Sequence, residues 1–386
     1  MPQVWALLSV REGDNAQVLA VAEALGWPYE TRRFENRPGA IVANLLAGPG
    51  IPGMVRYGAD ISAAPLPDLV LAAGTQSEPI LAQLRLRAQR ERRRTHQVFL
   101  GRPWVAPQRY DLVVTTPQYW VPPAPNVMEL DLPLHRVTRE SITREAERWQ
   151  PRLAHLPRPY IVALLGGSIS RYTLDARAAK RIAVEAGALA KREGGSLVVC
   201  SSYRTPRHAL KMIAGNTSVP SMIFDWHETR GDNPYMALLG LADALVVTGD
   251  SMTMLAESCA TGRPVYIFDL GEGRFGMRQN TPQHPPIAVE HPWLASAIRA
   301  RLKDLKVTII NGILPRRLHR DTRNIHRKLI ASGRAVWIGD DQPATRSANP
   351  PNDAATVAAR IRALVEGAAQ PDRRNDGRPA LVADRA

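Results

Sequence analysis

Cysteine is nearly missing from this chain of 386 residues: there are two, Cys200 and Cys259, without CxxC spacing. A disulfide framework is thereby excluded, and the pair read as buried thiols in a reducing compartment. Aromatic residues are scarce too, at 6%, which leaves little for a base-stacking platform. No stretch approaches the roughly 18 apolar residues of a membrane span, and Met1 to Val10 lacks the basic start and long apolar core of a signal peptide. The expected location is therefore cytoplasmic. The nine histidines show no HExxH or paired spacing, so no metal is expected. No G-x-G-x-x-G follows either first strand and no Walker G-x-x-x-x-G-K-[ST] occurs, which disfavours nicotinamide-dependent hydride transfer and P-loop hydrolysis.

Acidic residues are also in short supply, 36 against 50 Lys and Arg, for a net charge of +14. Between Arg299 and Arg334 eleven basic residues face only Asp304 and Asp321, and Arg85, Arg87, Arg90, Arg92, Arg93 and Arg94 face only Glu91. Such fields attract nucleic acid, anionic lipid or phosphorylated ligands. Nucleic acid is disfavoured because no helix-turn-helix, zinc-finger or RNP-type signature accompanies the charge. An anionic surface, placing the chain peripherally at the inner membrane, or an acidic ligand ranks higher. The plain reading, a solvated basic face with no partner, is the favoured one for either cluster.

What is present is a repeated strand and helix pattern in a chain long enough for two cores. Val4 to Val10 reads as a strand, Arg11 to Gln17 as a loop, and the following residues as a helix ending at Gly26. Buried strands follow at Pro67 to Gly74, Gln97 to Gly101, Asp111 to Thr116 and Asn126 to Leu132. The pattern restarts at Tyr160 to Leu165, Ser196 to Ser201, Ser221 to Trp226 and Ala244 to Val247. The expected fold is α/β, with two doubly wound domains. Their expected limits are 1–137 and 159–350, joined by a polar helix over 138–158 and followed by a closing helix over 351–367 and a disordered tail over 368–386.

Three loops of the second unit are expected at one sheet edge: Gly166-Gly167-Ser168, Ser201 to Arg204, and Thr248-Gly249-Asp250-Ser251. The glycines admit close backbone approach, Ser168 offers a hydroxyl, and Arg204 supplies a fork of donors. The last turn opens a helix that Asp250 or Ser251 can cap, and a helix N-terminus at the carboxyl edge of a sheet favours phosphate. Glu257, six residues after Ser251, can accept from ribose hydroxyls or be an ordinary solvated helix residue. In the first unit Asp14 is the carboxylate placed to act as a base from the opposite side, with Glu12 and Gln17 as its neighbours; Gln17 and Gly74 are cleft candidates. The plain reading of Asp14, the favoured one, is a helix cap. Asn233 and Tyr235 complete the cleft candidates.

These features resemble the two-Rossmann GT-B fold of nucleotide-sugar glycosyltransferases. Val246 to Glu257, followed by Gly262-Arg-Pro264, is similar to the donor region of the N-acetylglucosaminyltransferase that acts on a lipid-linked peptidoglycan precursor. That resemblance implies Glu257 as the ribose ligand and Gly166, Gly167 and Ser168 beside a pyrophosphate. A wider resemblance is to the mitochondrial-fission family named for elongated mitochondria. It rests on Gln17 to Gly26, Pro67 to Gly74, Tyr110 to Val114, Leu134 to Thr138, Gly166 to Ser168, Arg204 to Pro206, Asn233 to Tyr235, Ala244 to Asp269 and Pro351 to Arg362. The family's first loop resembles D-G-x-x-G-H-x-x-Q; here only Gly13 and Gln17 remain, with Asp14 in the histidine's place. Together the resemblances imply a nucleotide-sugar-binding protein, with a nucleoside diphosphate sugar as substrate and no other cofactor. The implied activity is glycosyl transfer to an anionic or lipid-linked envelope acceptor; the alternatives are a sugar-nucleotide epimerase and a non-catalytic adaptor.

Overall fold

The computed structural model describes residues 1–36, 55–57, 61, 64–168, 172–229, 232–271, 276–278, 319–340, 344 and 353–367. The Gly/Pro-rich stretch at 37–54, most of 271–292, the basic residues from Arg299 to Arg317 and the tail at 368–386 lie outside the described residues.

Runs of apolar residues with no polar break form strands covered on both faces, because helices lie on either side of a parallel sheet. In the first half β1 (Val4–Leu8) and β4 (Leu69–Ala73) are such runs, while β5 (His96–Leu100) and β6 (Leu112–Thr115) also bury the polar His96, Gln97 and Thr115; every residue of the four strands is buried. With β2 (Tyr29–Asn36), β3 (Val55–Tyr57) and β7 (Val127–Glu129) they make a seven-stranded sheet in the order β3-β2-β1-β4-β5-β6-β7. All its pairings are parallel except β2 with β3. The order reverses between β1 and β4, the position where open α/β sheets form their crevice.

The second half repeats the plan. β8 (Tyr160–Leu164), β9 (Ser196–Cys200), β10 (Ser221–Phe224), β11 (Ala244–Thr248), β12 (Val265–Phe268) and β13 (Val336–Trp337) form a parallel sheet in the order β10-β9-β8-β11-β12-β13. Its reversal lies between β8 and β11. The fold is thus two doubly wound Rossmann-like units.

Helix α1 (Glu12–Leu25) starts six residues earlier than the sequence pattern suggests. Asn15 explains it: its side chain accepts from Ser9 N–H and donates to Ser9 C=O, so the chain turns straight into the helix after β1. Glu12 and Asp14 then lie in its first turn, where the helix dipole favours acids. Asp14 is consequently inside the helix and is not its cap.

In α2 (Glu78–Arg90) the expected basic field is partly spent inside the fold. Arg85 donates to Gln97 and lies over Tyr110, while Arg87 donates to the carbonyls of Ile61 and Ala64. Arg90, Arg92, Arg93 and Arg94 remain exposed.

The helix between the halves, α3 (Arg139–Leu153), begins with a reciprocal Thr138 and Ser141 capping box and buries Ile142, Trp149 and Leu153 in the second core. It packs on α6 (Tyr235–Leu241), at whose Gly240 a β-carbon would stand 2.4 Å from Ile142 C=O. Two further helices carry the second core: α4 (Ala176–Arg192), whose capping Asp175 accepts from Ala178 N–H, and α5 (Arg207–Asn216).

Two late segments return to the first half. In α9 (Ala354–Gly367), Val357, Ala358 and Ile361 enter the first core, and Arg362 donates to the carbonyls of Ala24 and Leu25 at the end of α1. Before α8 (Arg323–Ala331), Arg320 bridges to Tyr119 while Asp321 N–H donates to Gln118 C=O at 2.8 Å.

Candidate functional site

The three loops of the second half meet at the carboxyl edge of their sheet. Gly166 N–H donates to Thr248 Oγ1 at 2.8 Å, and Gly167 N–H donates to the Asp250 carboxylate at 3.0 Å. Arg204 Nη1 stands 2.7 Å from the same Asp250 Oδ2, whose side chain is fully buried. The glycines are required by this arrangement: a β-carbon at Gly166 would lie 2.3 Å from Asp250, and one at Gly167 would lie 2.4 Å from Arg204 C=O. The expected phosphate donors are therefore engaged by an internal carboxylate. This corrects two expectations. Asp250 turns away from α7 (Met252–Ala260) toward Gly167 and Arg204, and Ser251, at the N-cap position, makes no side-chain capping bond either. The α7 N-terminus keeps its backbone donors without a side-chain cap.

Glu257 lies in the second turn of α7 and accepts a hydrogen bond from the Tyr235 hydroxyl. Burial raises its pKa to about 7, against the lowering effect of that bond. Tyr235 is pushed well above its usual range by burial, with Glu257 and Cys200 adding to the shift. Cys200 ends β9, and its carbonyl accepts from Leu165 N–H next to Gly166, so the Glu257 pair borders the same loop cluster. Asn233 Oδ1 accepts from Tyr235 N–H at 3.0 Å and fixes the start of α6. Ser168 is exposed. Beneath Gly249, the buried His326 donates from Nε2 to its carbonyl at 2.8 Å, and burial lowers that histidine to about 4, keeping the ring neutral.

A second site lies at the carboxyl edge of the first sheet. There an open cavity is lined by residues at and beyond the ends of β1, β4, β5, β6 and β7 together with Arg320. Asp14, Gln17 and Gly74 are among its lining residues. The Asp14 carboxylate packs against Gly74, where a β-carbon would stand 2.3 Å from Oδ2; with φ of +71°, Gly74 is in a conformation that also favours glycine. Burial raises the Asp14 pKa against the lowering influence of Arg11 and Arg320. Gln17 donates to Gly13 C=O at 3.3 Å. A β-carbon at Gly13 would come 3.4 Å from Thr253 Oγ1 in the first turn of α7, so the two sites adjoin across the halves.

The structure thus brings the sequence candidates together as two groups. Gly166, Gly167, Arg204, Thr248, Gly249, Asp250, Ser251, Glu257, Asn233 and Tyr235 gather at one edge, and Asp14, Gln17 and Gly74 at the other. Arg102, Thr115, Tyr119 and Arg320 were not among the candidates. Arg102 and Thr115 were findable, because both stand at strand ends; Arg320 was not, being two hundred residues distant from the strands it serves. Among the described residues no group of three or more His, Cys, Asp or Glu is placed to hold a metal ion, and no helix is long and apolar enough to cross a membrane.

A family model described as Mitochondrial fission ELM1 matches residues 12–281. The chain is 31% identical to the Mitochondrial fission protein ELM1 of Arabidopsis thaliana over 146 residues, 38% of this chain and 34% of that one. It is 28% identical to an uncharacterized protein of Rickettsia prowazekii over 120 residues, 31% of this chain and 34% of that one. The match therefore spans about a third of the length of these curated relatives. Among solved structures, a UDP-GlcNAc 2-epimerase from Methanocaldococcus jannaschii is similar with a TM-score of 0.42 and 11% identity, covering 86% of this chain and 99% of that one. UGT89C1 of Arabidopsis thaliana, complexed with UDP, is similar with a TM-score of 0.43 and 12% identity, covering 95% and 100%.

Proposed function

The chain belongs to the mitochondrial fission ELM1 family, and from its two adjoining sites we propose that it binds a nucleoside diphosphate sugar and transfers the sugar to an acceptor hydroxyl. The observation that carries this reading is α7: an N-terminus without a side-chain cap beside the Gly166 loop, with the Glu257 carboxylate two turns along. Backbone donors there suit a diphosphate, Ser168 is exposed beside them, and Glu257 suits ribose hydroxyls once Tyr235 yields.

In the reaction, the acceptor oxygen forms a bond to the sugar's anomeric carbon as the bond from that carbon to the diphosphate oxygen breaks. Asp14 takes the acceptor proton, for which its raised pKa suits it, and the diphosphate leaves with the electron pair toward the α7 N-terminus. A second reading, a binding protein of the same family without turnover, is favoured by one observation: Asp250 already satisfies Gly167 N–H and Arg204.

A thermal-shift screen of nucleoside diphosphates and their sugars tests the binding claim, since a ligand of the native state raises apparent stability. A rise in Tm with one nucleotide series, abolished in Glu257→Ala, is the expected result. Absence of any rise removes the donor site. Donor hydrolysis or transfer lost in Asp14→Ala separates the transferase from the binding protein.

A further inference from the structure

The turn that joins α2 to β5 stands at the amino edge of the first sheet, one strand length, roughly 17 Å, from the carboxyl edge that holds the cavity. Arg90, Arg92, Arg93 and Arg94 are exposed there, and Arg109, in the short turn before the neighbouring β6, is exposed on the same edge. The nearby acids are already engaged. Glu91 pairs with Arg87, while Asp111 accepts from Gln97 N–H, lies 3.4 Å from His96 and feels the charge of Arg94. None of these exposed arginines forms an ion pair among the described residues.

Arg92 also holds a place that glycine fills elsewhere in the chain. Its φ is +53°, and it is the only non-glycine with positive φ among the described residues. It closes α2 in a left-handed turn, after which Arg93 N–H donates to Ala88 C=O at 2.9 Å. Helices α4 and α8 close in the same way, with Gly194 and Gly333 in the left-handed place and the next N–H donating to Ala190 C=O and Leu329 C=O. Fold stability alone favours glycine at such a position, because a β-carbon is strained there. What arginine adds at this cap is charge, on an edge where charge is already concentrated.

The surroundings decide which anion fits. Interfaces with folded proteins carry an apolar centre, and single-stranded nucleic acid needs aromatic faces. Among the exposed large apolar residues, Val10 and Trp120 follow strands at the opposite edge, and Val184 and Tyr203 belong to the second half; only Met1, ahead of β1, shares this edge. Arginine charge without an apolar or aromatic centre matches an anionic lipid surface, which is bound by charge alone.

We infer that this arginine edge docks the chain on an anionic membrane surface, with the guanidinium groups of Arg90, Arg92, Arg93, Arg94 and Arg109 against lipid phosphates. Docked so, the first-half cavity, at the opposite edge of the sheet, opens away from the bilayer, and its ligand arrives from the aqueous side. The inference does not rest on the nucleotide reading.

Co-sedimentation of the full chain with vesicles of phosphatidylcholine alone, and of phosphatidylcholine with an equal part of phosphatidylglycerol, is the test. The expected result is binding that needs the anionic lipid, falls as salt rises, and is at least about tenfold weaker when Arg92→Gln, Arg93→Gln and Arg94→Gln are combined. Combining Lys191→Gln, Arg192→Gln and Arg207→Gln removes the same charge from exposed positions of the second half and should change binding less than about twofold. Arg92→Gly should raise Tm by relieving the left-handed cap and still weaken vesicle binding about fivefold, a split that general loosening of the fold would not produce. No binding to anionic vesicles, equal loss in the second-half variant, or undiminished binding in Arg92→Gly overturns the inference. Tighter binding of a short DNA duplex than of the vesicles, with the same dependence on Arg92, Arg93 and Arg94, overturns it too and gives the edge to nucleic acid.

Discussion

Tyr235 donates its hydroxyl hydrogen to the Glu257 carboxylate, tying the first turn of α6 to the second turn of α7. Burial makes ionisation of Glu257 costly, and its pKa rises from 4.5 to about 7. A folded-state value above the unfolded one means that the folded protein holds the extra proton between those limits. The associated stability is full below about pH 4.5 and is lost as pH rises to about 7; at about 1.4 kcal/mol per unit, it amounts to roughly 3 kcal/mol. Urea unfolding across this range should show the decline in the native chain and a flatter profile in Glu257→Gln. An unchanged slope in the variant would assign the titration elsewhere.

Asp250 is the internal anion of the second site. Asp250→Asn keeps the shape and an acceptor for Gly167 N–H but removes the charge opposite Arg204. Arg204 reaches solvent, so the cost in stability should be about 1–3 kcal/mol, below that of a fully buried pair. Released from its carboxylate, Arg204 should bind inorganic pyrophosphate about tenfold more tightly, near 1.4 kcal/mol. Titration calorimetry reads both the sign and the size. Weaker binding would mean that Asp250 serves the anion by positioning Arg204.

Gly240 sets the distance between α3 and α6. In Gly240→Ala the new methyl meets Ile142 C=O and the Ala146 β-carbon, at 2.4 and 2.9 Å before relaxation. Backbone on one side cannot swing away as a flexible side chain does, so overpacking should cost about 1–3 kcal/mol despite alanine's better helix propensity. Chemical denaturation should show a lower midpoint with an unchanged slope. Equal or greater stability would mean that the two helices separate freely.

The doubly wound plan was legible because its strands are unbroken apolar runs such as Leu69–Ala73 and Ala244–Thr248, each ending at a glycine or polar turn. The site loops were legible for the same reason, since a parallel strand delivers its following residues to one known edge. Features without a local sequence signal depend on contacts distant in sequence. Asp250 looked like a helix cap until Gly167 and Arg204, from other strands, claimed its carboxylate. The start of α1 was hidden by Gly13, a poor helix former whose place Asn15 secures through Ser9. At two residues, β13 is too short to carry a pattern, and only its pairing with β12 defines it. Arg320 reaches the first-half cavity through a strap that no local signal announces.

The central claim is that α7 presents a nucleotide-binding edge, with Glu257 as its carboxylate. The most direct measurement is calorimetric titration of uridine, guanosine, adenosine, cytidine and thymidine diphosphates into the native chain and into Glu257→Ala. Saturable binding of one diphosphate, weakened at least about tenfold in the variant, is the predicted result. No heat from any of the diphosphates, or equal affinity in the variant, would contradict the claim.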